Sequence, residues 1–195
     1  MAPSVSLVAV SGSLHSPSKT TALVRELLAA FTDALGDRAD LETHLIELSE
    51  VGPEFAGALR REELGPSAEA ALRRIESADL LIVASPVYRA SFTGLFKHAF
   101  DFVGQYSLID TPVLLAATGG SDRHALIIEH QFRPLFSFFQ ALTLPIGVYA
   151  SDADFVDHRI ESEALRDRIA QAVDRGLPVV RSTVAVPVSE YVASW

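Results

Sequence analysis

Hydroxyl side chains crowd one short stretch near the start of the chain, SGSLHSPSKTT, where Ser11, Ser13, Ser16, Ser18, Thr20 and Thr21 lie within residues 11–21. An apolar run, VSLVAV, precedes them and a segment with helical spacing follows, so the order is strand, polar loop, helix N-terminus. Such a junction suits an anion, because the first N–H groups of a helix lack partners and its dipole is positive at that end. A triphosphate cradle of the form GxxxxGK followed by Ser or Thr is excluded. Aligned on Lys19, both required glycines fall on Ser13 and Ser18; aligned on Gly12, the second glycine falls on Pro17. DLLIVASP, the third apolar run, also ends without an acid for Mg²⁺. The loop therefore fits one terminal phosphate monoester, with Lys19 the one cation close by and Ser18 the N-cap after Pro17. Taken alone, the same serines would serve equally well as simple helix caps.

Two further loops carry unusual composition. In SPVYRASF, Pro86 fixes the chain as it leaves a strand, Tyr88 offers an aromatic body with a polar tip, and Ser91 is placed to cap a helix beginning at Phe92. Lys97 and Asp101, four apart on that helix, read as a surface ion pair. In ATGGSDRH, Gly119 and Gly120 permit positive φ and close approach of a ligand to the backbone. A phosphate site, an aromatic edge with backbone donors and a glycine platform together describe a site for flavin mononucleotide (FMN). SGSLHS is not GxGxxG, which disfavours primary NAD or FAD binding in the dinucleotide style. Among the histidines, His15 and His124 lie in these loops, each equally readable as a loop or helix-start residue. His44, His98 and His158 have no metal-ligand spacing.

These loops need a frame. Short Val, Leu, Ile and Ala runs recur at 5–10, 41–48, 79–84, 111–118 and 144–149, and helical spacing fills 20–35, 67–77, 92–103, 123–142 and 159–175. The alternation predicts an α/β fold: a flavodoxin-like, doubly wound, five-stranded parallel sheet of order 2-1-3-4-5 with helices on both faces. Ligands then bind beyond the C-terminal strand ends, where all three loops sit. Residues 51–66 read as a long loop with a turn of helix. Residues 1–176 read as one FMN-binding domain, and 177–195, broken by Pro178 and Pro187, as a C-terminal arm for packing on a neighbouring subunit. At 195 residues and 49% hydrophobic content the chain can fill one core. A net charge of −9 argues against a nucleic-acid surface, and the lack of cysteine excludes thiolate metal sites and disulfides. No signal peptide or membrane span is visible, so a cytoplasmic location is expected.

The segments GSLHSPSKTTALV, SPVYRASFTGLFKHAFDF and ATGGSDRHALIIEHQFRPLFSFFQALTLPIGVYASDADF resemble the NAD(P)H-dependent FMN reductase family, in particular the reductase components of two-component alkanesulfonate and methanesulfonate monooxygenases. The resemblance implies hydride transfer from NADPH or NADH to FMN, a homodimer or homotetramer, and reduced FMN passed to a partner monooxygenase. It implies that Ser11, Ser13, Ser16, Ser18 and Thr20, joined here by Lys19, surround the phosphate. Pro86, Val87, Tyr88, Arg89 and Ser91 would lie by the flavin, and Thr118, Gly119, Gly120 and Ser121 by its ring. No side chain is assigned a catalytic role beyond orientation, which falls to Tyr88, Ser91, Gly119 and Gly120. A tyrosine that the alkanesulfonate-linked relatives insert at a π-bulge is matched by His130, as in the methanesulfonate-linked branch; we read it as an interface histidine. A quinone or azo reductase with tightly bound FMN, or a flavodoxin-type electron carrier, are the alternatives of the same fold.

Overall fold

The structure, a computed structural model, describes residues 4–36 and 40–184. Its strands are β1 (Val5–Ser11), β2 (Leu41–Glu47), β3 (Leu80–Pro86), β4 (Pro112–Gly119), β5 (Leu142–Thr143) and β6 (Val148–Ser151), with a small hairpin of β7 (Phe155–Val156) and β8 (Arg159–Ile160). The helices are α1 (Lys19–Leu35), α2 (Leu48–Phe55), α3 (Pro66–Glu76), α4 (Gly94–Asp101), α5 (Arg133–Phe138) and α6 (Glu163–Val184). The main sheet runs β2-β1-β3-β4-β5 with every pairing parallel, and β6 also pairs with β4. This is the flavodoxin-like order expected.

Strand periodicity divides the core into two layers. In β1, Val8 and Val10 join one buried cluster while Val5, Leu7 and Ala9 join the other. β3 and β4 split the same way, so each central strand is apolar on both faces, as a sheet covered by helices on both sides requires. Leu23, Val24, Leu27 and Phe31 of α1 fill one layer with Leu165, Ile169 and Val180 of α6. Residues of α2, α3, α4 and α5 fill the other, including the packed rings of Phe96, Phe100 and Phe136.

Four elements differ from the expectation. Residues 51–66 are not mainly loop: α2 occupies Leu48–Phe55 and a 3-10 turn Arg61–Glu63. Pro53 and Gly52 hid this helix, yet Gly52 is where α4 approaches, a Cβ there falling 2.6 Å from Leu95 Cδ2. The fifth strand is two short pieces, β5 and β6, each bonded to β4, because Pro145 between them has no N–H to give to a ladder. The helix expected over 123–142 is a 3-10 turn Asp122–His124, a π-helix Ile128–Phe132 and then α5. Finally, α6 continues through Pro178 to Val184, so residues 177–184 are helix packed on the core and Val180 is fully buried. The remainder of the expected arm, 185–195, lies outside the described residues.

Candidate flavin site

The hydroxyl loop is built by its own side chains. Ser18 caps α1, its Oγ accepting the Thr21 N–H at 3.3 Å, as its position predicted. Ser13 Oγ donates to the His15 carbonyl (3.1 Å) and accepts the His15 N–H (3.3 Å), folding the loop back on itself. Beneath it, Ser11 and Thr21 share a buried hydrogen bond (2.8 Å), and Thr20 meets the Thr118 hydroxyl at 2.6 Å, tying helix α1 to the end of β4. Among the described residues no acceptor reaches the N–H of Lys19 or Thr20. These are the first N–H groups of a 17-residue helix, and both residues line the cleft.

The second loop makes a tight turn. Tyr88 N–H donates to the Ser91 carbonyl (2.8 Å) and Ser91 N–H to that of Tyr88 (3.2 Å), with Arg89 and Ala90 both left-handed at φ 51° and 67°. Val87 N–H is taken by the Thr118 carbonyl at 2.8 Å. The backbone donors of Tyr88 and Ser91 are therefore spent on the turn, and that of Val87 on β4. Ser91 does not cap α4 either; its hydroxyl donates to Gln131 (3.1 Å). Thr93 is the cap, accepting the Phe96 N–H (3.2 Å), donating to the Gly12 carbonyl (3.0 Å), and giving its own N–H to Ser85 Oγ (3.0 Å). One buried threonine thus fastens the first loop to the second.

The third loop holds its glycines for a reason other than torsion. Neither Gly119 nor Gly120 has a positive φ. A Cβ on Gly119 would fall 2.3 Å from Tyr149 Oη, and that hydroxyl donates to the Ser121 carbonyl at 2.6 Å. Burial, reinforced by Asp122, Asp152 and Asp154, pushes the Tyr149 phenol up, so it stays a donor at neutral pH. The N–H groups of Gly120 and Ser121 have no acceptor among the described residues.

The three loops meet around one open cleft of about 280 Å³. Of the residues nominated from sequence, Ser13, Ser18, Lys19, Thr20, Pro86, Val87, Tyr88, Thr118, Gly119 and Gly120 line it. Ser11 is fully buried beneath the loop, and Ser16, Arg89, Ser91 and Ser121 are outside the lining. His15 and Pro17 complete the lining at the α1 end. Asp152 and His158 were missed. Both come from the connection after the fifth strand, and the rule that ligands sit beyond strand ends, applied to SDADF as well, points there. Asp152 accepts Lys19 Nζ at 2.7 Å, and the ammonium also lies 5.9 Å from the Phe155 ring centroid. Lys97 pairs with Asp101 on the outer face of α4, as expected, away from the cleft. Among the described residues no group of three or more His, Cys, Asp or Glu is placed to hold a metal ion. His130 is exposed within the π-helix, which Arg133 anchors through Glu129 (2.6 and 2.8 Å) and Thr143 (2.9 Å).

These residues fit FMN on chemical grounds. Unpaired helical N–H groups and hydroxyls answer a phosphate at one end, and an aromatic edge with the unpaired Gly120 N–H answers a flat heteroaromatic ring at the other. A parallel 2-1-3-4-5 sheet with such a cleft at its C-terminal edge defines a flavodoxin-like flavoprotein.

Comparison with known proteins narrows the class. Residues 5–155 match the family model "NADPH-dependent FMN reductase". The chain is 53% identical to the NADH-dependent FMN reductase SfnE of Pseudomonas putida, over 92% of this chain and 94% of that one. It is 51% identical to an FMN reductase (NADPH) of Pseudomonas aeruginosa, over 89% and 91%. Among solved structures, an oxidoreductase of Corynebacterium diphtheriae superposes with a TM-score of 0.77 at 32% identity, covering 91% of this chain and 97% of that one. The apo NADH:FMN oxidoreductase EmoB gives 0.77 at 25%, covering 96% and 93%. The chain belongs to the NADPH-dependent FMN reductase family. It is an oxidoreductase of FMN and NAD(P)H, as the motifs implied, and the azo-reductase, quinone-reductase and electron-carrier alternatives are not favoured. No helix among the described residues is long and apolar enough to cross a membrane.

Proposed function

We propose that the N-terminus of α1, with Ser13, Ser18, Thr20 and Lys19, holds the FMN phosphate, while Pro86, Val87, Tyr88, Thr118, Gly119 and Gly120 hold the ring. The observation that carries this placement is the pair of unpaired helical N–H groups on Lys19 and Thr20, two residues that line the same cleft as Tyr88 and the glycine loop. When bound, FMN supplies the hydride-accepting chemistry and reduced nicotinamide the hydride. The protein binds and orients: Tyr88 and Val87 offer the apolar edge, and the Gly120 N–H is a donor suited to the negative charge a reduced ring carries. Ser11 acts from below by holding Thr21, and Ser16, Arg89 and Ser91 shape the two loops without reaching into the cleft.

The same reading makes FMN a substrate that comes and goes, with reduced FMN delivered to a partner monooxygenase. Its support is the modest phosphate site, built from neutral donors and a single lysine that already has an anionic partner. Assembly as a homodimer or homotetramer is part of the proposal, with Leu126 and Phe138, large exposed apolar residues flanking the π-helix, as the contact face and His130 between them. A cytoplasmic setting, where reduced nicotinamides are regenerated, completes it. The test is oxidation of NADH and of NADPH, each with and without free FMN. The expected outcome is a nearly colourless purified protein whose rate rises saturably with added FMN. Stoichiometric bound flavin with turnover indifferent to added FMN would overturn it.

A further inference from the structure

The phosphate end of the cleft contains an element that works against a phosphate. Asp152 begins a 3-10 turn, Asp152–Asp154, that is locked by Ser151, whose N–H and hydroxyl both bind the Asp154 carboxylate (2.7 and 3.0 Å). The lock presents the Asp152 side chain to the cleft, where its Oδ1 takes Lys19 Nζ at 2.7 Å. Its Oδ2 stands 3.8 Å from where a Cβ on Gly120 would lie. One carboxylate therefore reaches from the first residue of α1 to the glycine loop, across the phosphate end of the cleft. Among the described residues it is the single acid in the lining, and Lys19 the single lysine or arginine.

We propose that Asp152 is an affinity-determining residue that keeps FMN exchangeable by competing with its phosphate for Lys19. This rests on the placement of the phosphate at α1. A phosphate monoester carries close to two negative charges at neutral pH. If Lys19 turns to it, the Asp152 carboxylate is left beside a like charge; if Lys19 stays, the phosphate loses that ammonium. Either arrangement lowers affinity for the phosphate and leaves ring binding alone. The ion pair is accordingly a device for release: it restores itself each time the flavin leaves, keeping Lys19 oriented between Asp152 and the Phe155 ring.

The test is a titration of the full chain with FMN and with riboflavin, which has the same ring and no phosphate, followed by flavin fluorescence. In Asp152→Asn the Kd for FMN is expected to fall on the order of tenfold, the scale of removing one nearby like charge, while that for riboflavin stays where it was. Asp152→Ser, which also removes the charge but not by an isostere, is expected to move FMN in the same direction. An unchanged or weaker FMN Kd in both variants, or an equal shift for riboflavin, overturns the proposal. If the unsubstituted chain binds FMN no better than riboflavin, the phosphate placement itself fails, a result distinct from a failure of Asp152.

Discussion

Gly119 and Tyr149 show how closely side chain and backbone are fitted at the residue scale. The 2.3 Å between a Cβ on Gly119 and Tyr149 Oη leaves no room for alanine unless the ring or the loop moves. Gly119→Ala is therefore expected to weaken FMN binding at least tenfold and to lower stability by about 1–3 kcal/mol, the usual cost of overpacking. Adding Tyr149→Phe removes the clashing oxygen, so the double variant is expected to regain most of the stability; thermal melts and FMN titrations of the three variants check this. A double variant no better than Gly119→Ala would show that the Tyr149 oxygen is not what fixes the glycine. Residues of this kind were partly legible. Ser18 was readable because a cap is defined by its neighbours in the chain. Thr93 was not: Ser91 is as good a cap by type, and the choice was made by Gly12, just after β1, and Ser85, near the end of β3. Lys19 was legible as a cation near a phosphate, but its partner lies 133 residues away.

At the scale of elements, Arg61 organises the segment that the sequence left as loop. Its guanidinium binds Glu69 (2.9 and 3.1 Å), Glu76 (2.6 and 2.9 Å) and the Phe102 carbonyl (3.3 Å), joining the 3-10 turn to α3 and to the end of α4. Arg61, helped by Arg73, holds the Glu69 carboxyl down to about 2. A carboxyl lowered on folding contributes stability that is present above its unfolded value near 4.5 and lost as pH falls through about 2. In Glu69→Gln the midpoint of urea unfolding is expected to lie below that of the parent at pH 6, and the difference to shrink steadily between pH 5 and pH 2. A constant difference across that range would mean the pair does not carry the effect. α2 escaped notice because glycine and proline ordinarily argue against helix, whereas here Gly52 admits α4 and the helix is held by tertiary packing. The π-helix Ile128–Phe132 has no local signature either. Its wider turn is secured by Arg133 reaching to β5 and by Ile128 lying against Gly147, where a Cβ would fall 2.6 Å from Ile128 Cγ2.

For the whole molecule, the sheet order followed from simple regularities: apolar runs of strand length, helical spacing between them, and both faces of β1, β3 and β4 apolar. The clustering of three loops at one edge came with that order, which is why ten of the nominated residues line the cleft. What escaped was set by contacts between distant segments, above all the acid supplied after the fifth strand. The last helix has a practical consequence of the same origin. Gly176 sits against Leu144 and Phe31, a Cβ there falling 2.7 and 3.2 Å from them, and Val180 beyond it is fully buried in the α1 layer. The described core therefore continues past 176 into the last two turns of α6. A version cut at 176 is expected to lose several kcal/mol through the lost burial of Val180, giving a soluble-yield and melting-temperature deficit that a version cut at 184 does not share. Anyone trimming this protein for crystallisation or fusion has eight more residues to keep than its prolines suggest.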